Sequence, residues 1–121
     1  MAVAVKRLLS GSTNGMPIKV VQTATAGDTI HTAIAGTTPG SYDEIWLWAY
    51  NGHTTNVTLT IEFGGASVPD QNIIVTLAAK SGLVPIVPGL ILQNAKVVKA
   101  FASIANVVTL SGFVNQVADA A

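Results

Sequence analysis

Tyr42-Asp43-Glu44-Ile45-Trp46-Leu47-Trp48-Ala49-Tyr50, continued by Asn51-Gly52-His53-Thr54-Thr55-Asn56 and by Val57-Thr58-Leu59-Thr60-Ile61-Glu62-Phe63-Gly64, is the stretch that sets the fold class. Successive side chains of a strand point to opposite sides of a sheet, so a strand with two unlike faces must alternate. Val57, Leu59, Ile61 and Phe63 fall on one face and Thr58, Thr60 and Glu62 on the other, which predicts a half-buried strand. In the first arm Ile45, Leu47 and Ala49 share one face, and Trp46, Trp48 and Tyr50 share the other. Neither face suits water, which predicts a strand covered on both sides. Asn-Gly takes positive φ more readily than other dipeptides. The two arms are therefore expected to pair as a β-hairpin, through a loop that polar residues prolong to Asn56.

The same alternation recurs on both sides of this stretch. Ile18 to Gln22, Asp28 to Ile34, Asn72 to Ala78, Leu83 to Val87, Lys96 to Ala102 and Val107 to about Val117 read as further strands, separated by Gly, Pro, Ser and Asn clusters. Pro85 lacks an N–H donor, so its strand belongs at a sheet edge or bulge, and Pro88-Gly89 is expected to end it. Gly112 suits a bulge or a close backbone approach. No segment carries a helical stripe. About eight short strands predict an all-β domain, an antiparallel β-sandwich, with a jelly roll among the forms it can take. Residues 1–16 read as an extended N-terminal arm, 17–121 as the single sandwich domain, and the residues from Ala118 onward as a tail.

The 121 residues include no cysteine, six basic and six acidic side chains, and only 10% charged residues. A chain of this length buries enough surface to fold without disulfides or metal. A neutral, charge-poor surface favours association, so a subunit of something larger is expected. Lys and Arg are scattered and matched by acids, which argues against a nucleic-acid partner. The most apolar run, Leu83 to Leu92, is broken by Pro85, Pro88 and Gly89 and falls short of the roughly 20 residues that a membrane helix needs. Neither a membrane partner nor a secretory signal is expected.

No catalytic pattern emerges. His31 and His53 are too few for a zinc site, which takes three or four protein ligands, and they read as one strand and one turn histidine. Asp28, Asp43 and Asp70 stand at strand starts or turns, where aspartate bonds nearby backbone, rather than as a facing carboxylate pair. Gly-x-Ser-x-Gly is absent, and Gly64-Gly65 lacks the lysine and helix of a phosphate loop. The expectation is no enzyme and no cofactor. The candidate interface residues are Lys6 and Arg7 in the arm and the row Trp46, Trp48 and Tyr50. Such a row can stack on sugars or anchor a protein. Burial inside a doubly covered sheet is the expected state; an exposed row would be an interface.

The C-terminal third resembles small structural proteins of tailed bacteriophages. The resemblance lies in Leu83-Val84-Pro85-Ile86-Val87-Pro88-Gly89-Leu90 through Asn94, in Val97 to Ser103, and in Asn106-Val107-Val108-Thr109-Leu110-Ser111-Gly112-Phe113-Val114-Asn115. It implies a head decoration, or cement, protein of β-sandwich fold, made in the host cytoplasm and located on the capsid surface of the virion. The implied partners are the major capsid protein and further copies of the chain itself, often as a homotrimer. Alternatives are a fibre or tail adsorption module and a free carbohydrate-binding sandwich.

Overall fold

The computed structural model describes residues 2–119, in nine strands and no helix. They are β1 (Ala2–Leu8), β2 (Ile18–Lys19), β3 (Asp28–Thr32), β4 (Tyr42–Asn51), β5 (Val57–Phe63), β6 (Asn72–Leu77), β7 (Val84–Leu92), β8 (Val97–Ala102) and β9 (Val108–Asp119). A five-stranded antiparallel sheet has the order β1-β9-β4-β7, with β2 also on β9. A four-stranded antiparallel sheet has the order β3-β8-β5-β6. The all-β sandwich read from the alternation is the fold observed. Its core lies between the sheets, with Ile45, Leu47, Ala49, Val87, Leu110 and Val114 from one facing Ile30, Leu59, Ile61, Leu77, Val98 and Ala100 from the other.

The expected hairpin of β4 with β5 does not form. β4 pairs with β9 over ten unbroken positions, Tyr42↔Val117 to Asn51↔Val108, whereas β5 lies in the other sheet between β8 and β6. Neither Asn51 nor Gly52 has positive φ. Asn51 is fully buried, and its side chain builds a crossover. Its Nδ2 donates to the Thr55 and Leu77 carbonyls, both at 3.0 Å, and its Oδ1 accepts the His53 N–H at 2.9 Å. From β2 onward only the β5–β6 connection stays within one sheet.

Other expectations are corrected by local geometry. β7 is an edge strand, as Pro85 requires, but Pro88-Gly89 does not end it. Register shifts on either side of Trp46–Leu47 absorb the two prolines, and the strand runs on to Leu92. In β3 a shift between Thr29 and His31 breaks the alternation, so Ile30 and His31 are both buried. Gly112 is a close approach without a bulge: a Cβ there would sit within bonding distance of the Trp46 carbonyl oxygen, while the register stays unbroken.

The segment read as an arm carries β1, laid along β9 from Ala2↔Asp119 to Leu8↔Phe113. Beyond it, Leu9 is buried in the core and Gly11 N–H bonds the Ile30 carbonyl at 2.9 Å. Integration into the sandwich thus begins before residue 17. Ala118 and Asp119 continue β9, and the rest of the expected tail lies outside the described residues.

Candidate functional site

Strict alternation in β4 sends Ile45, Leu47 and Ala49 into the core and Tyr42, Glu44, Trp46, Trp48 and Tyr50 to the outer face of the five-stranded sheet, where each is half-buried. Among the described residues no second layer covers that face, so the expected double cover of β4 is not found there. The register completes the surface from neighbouring strands: Phe113 of β9 stands opposite Trp46, with Pro88 of β7 on its other side, and Ser111 and Pro85 flank Trp48. The Trp46, Trp48 and Phe113 rings form a triangle with centroids 6.0–6.4 Å apart and planes within 16–28° of parallel. Aromatic pairs at such spacings gain about 0.5–1.5 kcal/mol beyond area burial. Each of the three residues is half-buried.

Gly89 lets the cluster lie flat against β7. Its φ is +79°, and a Cβ there would stand 2.8 Å from Trp46 Cζ2. Lys6, two positions before Leu8 on β1, brings its Nζ to 4.6 Å from the Phe113 ring centroid. Exposed cation–π contacts of this kind contribute about 0.5–1 kcal/mol. Glu44 closes the rim: one carboxylate oxygen accepts the Trp46 indole N–H at 2.7 Å and the Asn115 amide at 3.0 Å. The Trp46 bond first, and the Asn115 bond second, hold its carboxyl below the usual carboxylate range. Leu8 and Ile91, 60% and 56% exposed, continue the apolar surface on either side.

Of the sequence candidates, Lys6, Trp46 and Trp48 come together here. Tyr50 shares the face but lies farther along, with its ring beside Gly52. Arg7 is separated from them, because adjacent strand residues face opposite ways and its register partner, Val114, points into the core. Phe113, Glu44 and Asn115 escape the sequence reading. Phe113 has the same parity as other outward residues of its strand, but only the β4–β9 register brings it to the tryptophans.

A second cluster has the side-chain types of a nucleophilic triad without its geometry. His31 Nδ1 accepts the Ser10 backbone N–H at 3.0 Å, so the ring proton resides on Nε2 and is donated to Asp43 Oδ2 at 2.5 Å. Asp43 Oδ1 accepts the Gln116 amide at 3.0 Å. Ser10 Oγ turns away from the ring to accept the Thr32 N–H at 2.7 Å. A nucleophile must present its oxygen to the base, and here the histidine and aspartate are both buried. The arrangement is a brace from β3 in one sheet to β4 and β9 in the other. Asp28 bonds the Val21 and Gln22 N–H groups, as its turn position suggests; Asp43 instead serves side chains. His31 and His53 lie on a strand and in a turn, and among the described residues no three metal-ligating side chains gather.

The chain matches no family model, no curated protein and no solved structure.

Proposed function

We propose that this chain is a structural virion protein, a decoration or cement protein that binds the outer surface of a phage capsid and stabilises the expanded head by bridging neighbouring major capsid protein subunits. The observation that carries this reading is the open aromatic face of the five-stranded sheet. Contiguous apolar surface rimmed by polar groups marks interaction sites, and tryptophan is enriched among the residues that dominate binding energy. The capsid as partner is inferred from the resemblance of residues 83–115 to phage structural proteins.

Such a protein acts without catalysis. A ligand that binds the assembled lattice more tightly than separated capsomers stabilises the lattice by that difference in affinity. Trp46, Trp48 and Phe113 supply preassembled apolar contact, while Lys6 and Glu44 give the rim one charge of each sign. Co-sedimentation with expanded and unexpanded heads tests the proposal. Saturable binding selective for expanded heads, reduced at least about tenfold by Trp46→Ala with Trp48→Ala, is the expected result. Equal or absent binding to both head forms would overturn it.

A second reading shares the face. Aromatic rings beside a carboxylate and an amide, here Glu44 and Asn115, are also what a sugar surface uses. Saturable quenching of tryptophan emission by glycans, with no binding to heads, would select an adsorption or carbohydrate-binding role.

A further inference from the structure

Apart from the two-residue β2, four strands terminate the sheets: β1 and β7 in one, β3 and β6 in the other. A terminal strand shows a row of unpaired backbone N–H and C=O groups, and proteins blunt such edges with proline, bulges, shortness or charged side chains. β7 carries Pro85 and Pro88 and two register shifts. β3 has five residues and a shift. β6 has six residues, and its one strongly exposed apolar side chain, Ile74, stands between the polar Asn72 and Thr76 on its face. β1 lacks the first three protections: it is seven residues long, contains no proline and keeps unbroken register along β9, and its charges, Lys6 and Arg7, stand only toward its C-terminal end.

Its side chains suit pairing as well. Val3 and Val5 share the inner face of β1, where the second sheet leaves them 53% and 42% exposed. Of the two charges on β1, Lys6 is folded over Phe113 and Arg7 lies at the far end of the strand. From this contrast among edges we infer that a second copy of the chain pairs with β1, antiparallel and edge to edge, about a two-fold axis at Ala4. That register sets Val3 against the partner's Val5 and Val5 against the partner's Val3. It keeps the two Lys6-Arg7 pairs at opposite ends, where registers centred nearer Lys6 would bring like charges together. Zero net charge leaves little repulsion between copies.

The pairing has a consequence for the aromatic face. Two antiparallel copies of one strand within one sheet are related by an axis perpendicular to that sheet, so both outer faces look the same way. The dimer presents two aromatic clusters to one side, and two weak contacts to a shared surface act as one stronger one. The inference stands independently of what that surface is. An isologous contact closes at two copies, so it is distinct from the three-fold assembly that the phage resemblance implies.

Sedimentation equilibrium of the full chain, with two sets of variants, tests it. The expected mass is twice that of the chain, and Val3→Lys with Val5→Lys weakens the dimer at least about tenfold with unchanged far-UV circular dichroism. Because the chain has no cysteine, Ala4→Cys can form only an intermolecular disulfide, and like positions at the axis lie within disulfide reach. Oxidation is expected to link Ala4→Cys into dimers faster than the β6 control Ile74→Cys. A monomer at about 100 μM, a trimer, a dimer insensitive to the paired lysines, or faster linkage through Ile74→Cys would each overturn the pairing.

Discussion

The two outer faces of the sandwich exchange the roles that their residues suggest. β4 turns two tryptophans and two tyrosines outward, and among the described residues no loop or layer lies over them. β5 turns Thr58, Thr60 and Glu62 outward, yet Thr60 and Glu62 are buried. The cover over β5 is the loop from Gln22 to Gly27. The Ala102 N–H holds the Gln22 carbonyl at 3.1 Å, and Glu62 accepts the Thr25 hydroxyl at 2.5 Å and the Gly27 N–H at 2.7 Å. Gly27 lies so near the β8 backbone that a Cβ would stand 2.3 Å from the Ala100 carbonyl oxygen. Polarity therefore does not decide which outer face is buried. A carboxylate with correctly placed donors can carry a loop over a polar face, whereas an aromatic face with no such anchor stays open.

The largest effect should separate neighbours on β4. Leu47→Ala removes a core side chain and is expected to cost about 3–4 kcal/mol in urea unfolding. Trp46→Ala, larger in volume but half-exposed, should cost about 1–2 kcal/mol. Binding should reverse the order, with the tryptophan variant losing affinity for whatever docks on the face and Leu47→Ala retaining it while folded. Equal losses of stability would mean that the outer face is covered after all.

Next in size comes the glutamate that holds the loop. Glu62→Ala gives up two hydrogen bonds to a charged acceptor and should lower stability by about 2–3 kcal/mol. Thr58→Ala, on the same face but outside the cover, should stay within about 0.5 kcal/mol. Faster amide exchange confined to residues 22–27 in the Glu62 variant would sharpen the comparison. A global loss with no local signature would contradict the stapling role.

This contrast also marks where the sequence stops being readable. Period-two alternation identifies β4, β5 and β8 as strands, and for β5 its inward side, because it follows from backbone geometry at each strand. It says that two faces exist, not what lies on them. The cover of β5 comes from residues about 37 positions earlier, and the partner of β4 from β9, about 65 positions later. Asn51-Gly52 misleads for a related reason. Asn51 is spent on buried bonds to both Thr55 and Leu77, so a dipeptide suited to a tight turn becomes the corner of a crossover. At the aromatic site, Trp46, Trp48 and Lys6 were readable as residue types, while Phe113, Glu44 and Asn115 join them only through register.

A smaller effect tests how the tryptophans are seated. Gly89→Ala combines a positive φ, which costs an alanine about 1–2 kcal/mol, with a collision against the Trp46 ring. Gly82 has nearly the same φ, +80°, and open space around it, so Gly82→Ala isolates the backbone cost. The Gly89 variant should lose more stability than the Gly82 variant and shift tryptophan emission, which Gly82→Ala should leave alone. Matching behaviour of the two would show that the ring is not held against β7.

The smallest effect concerns the two glutamates that define the faces, Glu62 under its loop and Glu44 open at the aromatic rim. Donors on Trp46 and Asn115 favour the charged form of Glu44 in the fold, so its folded carboxyl titrates below its unfolded one. The fold then binds fewer protons than the unfolded chain between those two values. The stability from this group is fully present above the ordinary carboxylate range and is lost as pH falls through the lower, folded value. Because Glu44 is only half-buried and solvent reaches it at the rim, salt and water screen the effect and its amplitude is slight. Glu44→Gln removes the titration, so the stability advantage of the wild type over this variant should hold steady from neutral pH and narrow only in acid. The emission of Trp46, whose indole N–H Glu44 receives, should change over the same acid window in the wild type and not in the variant. An advantage that widens in acid, or an emission change that persists in Glu44→Gln, would mean that the indole is not bonded to this carboxylate and that the rim of the open face is organised by another group.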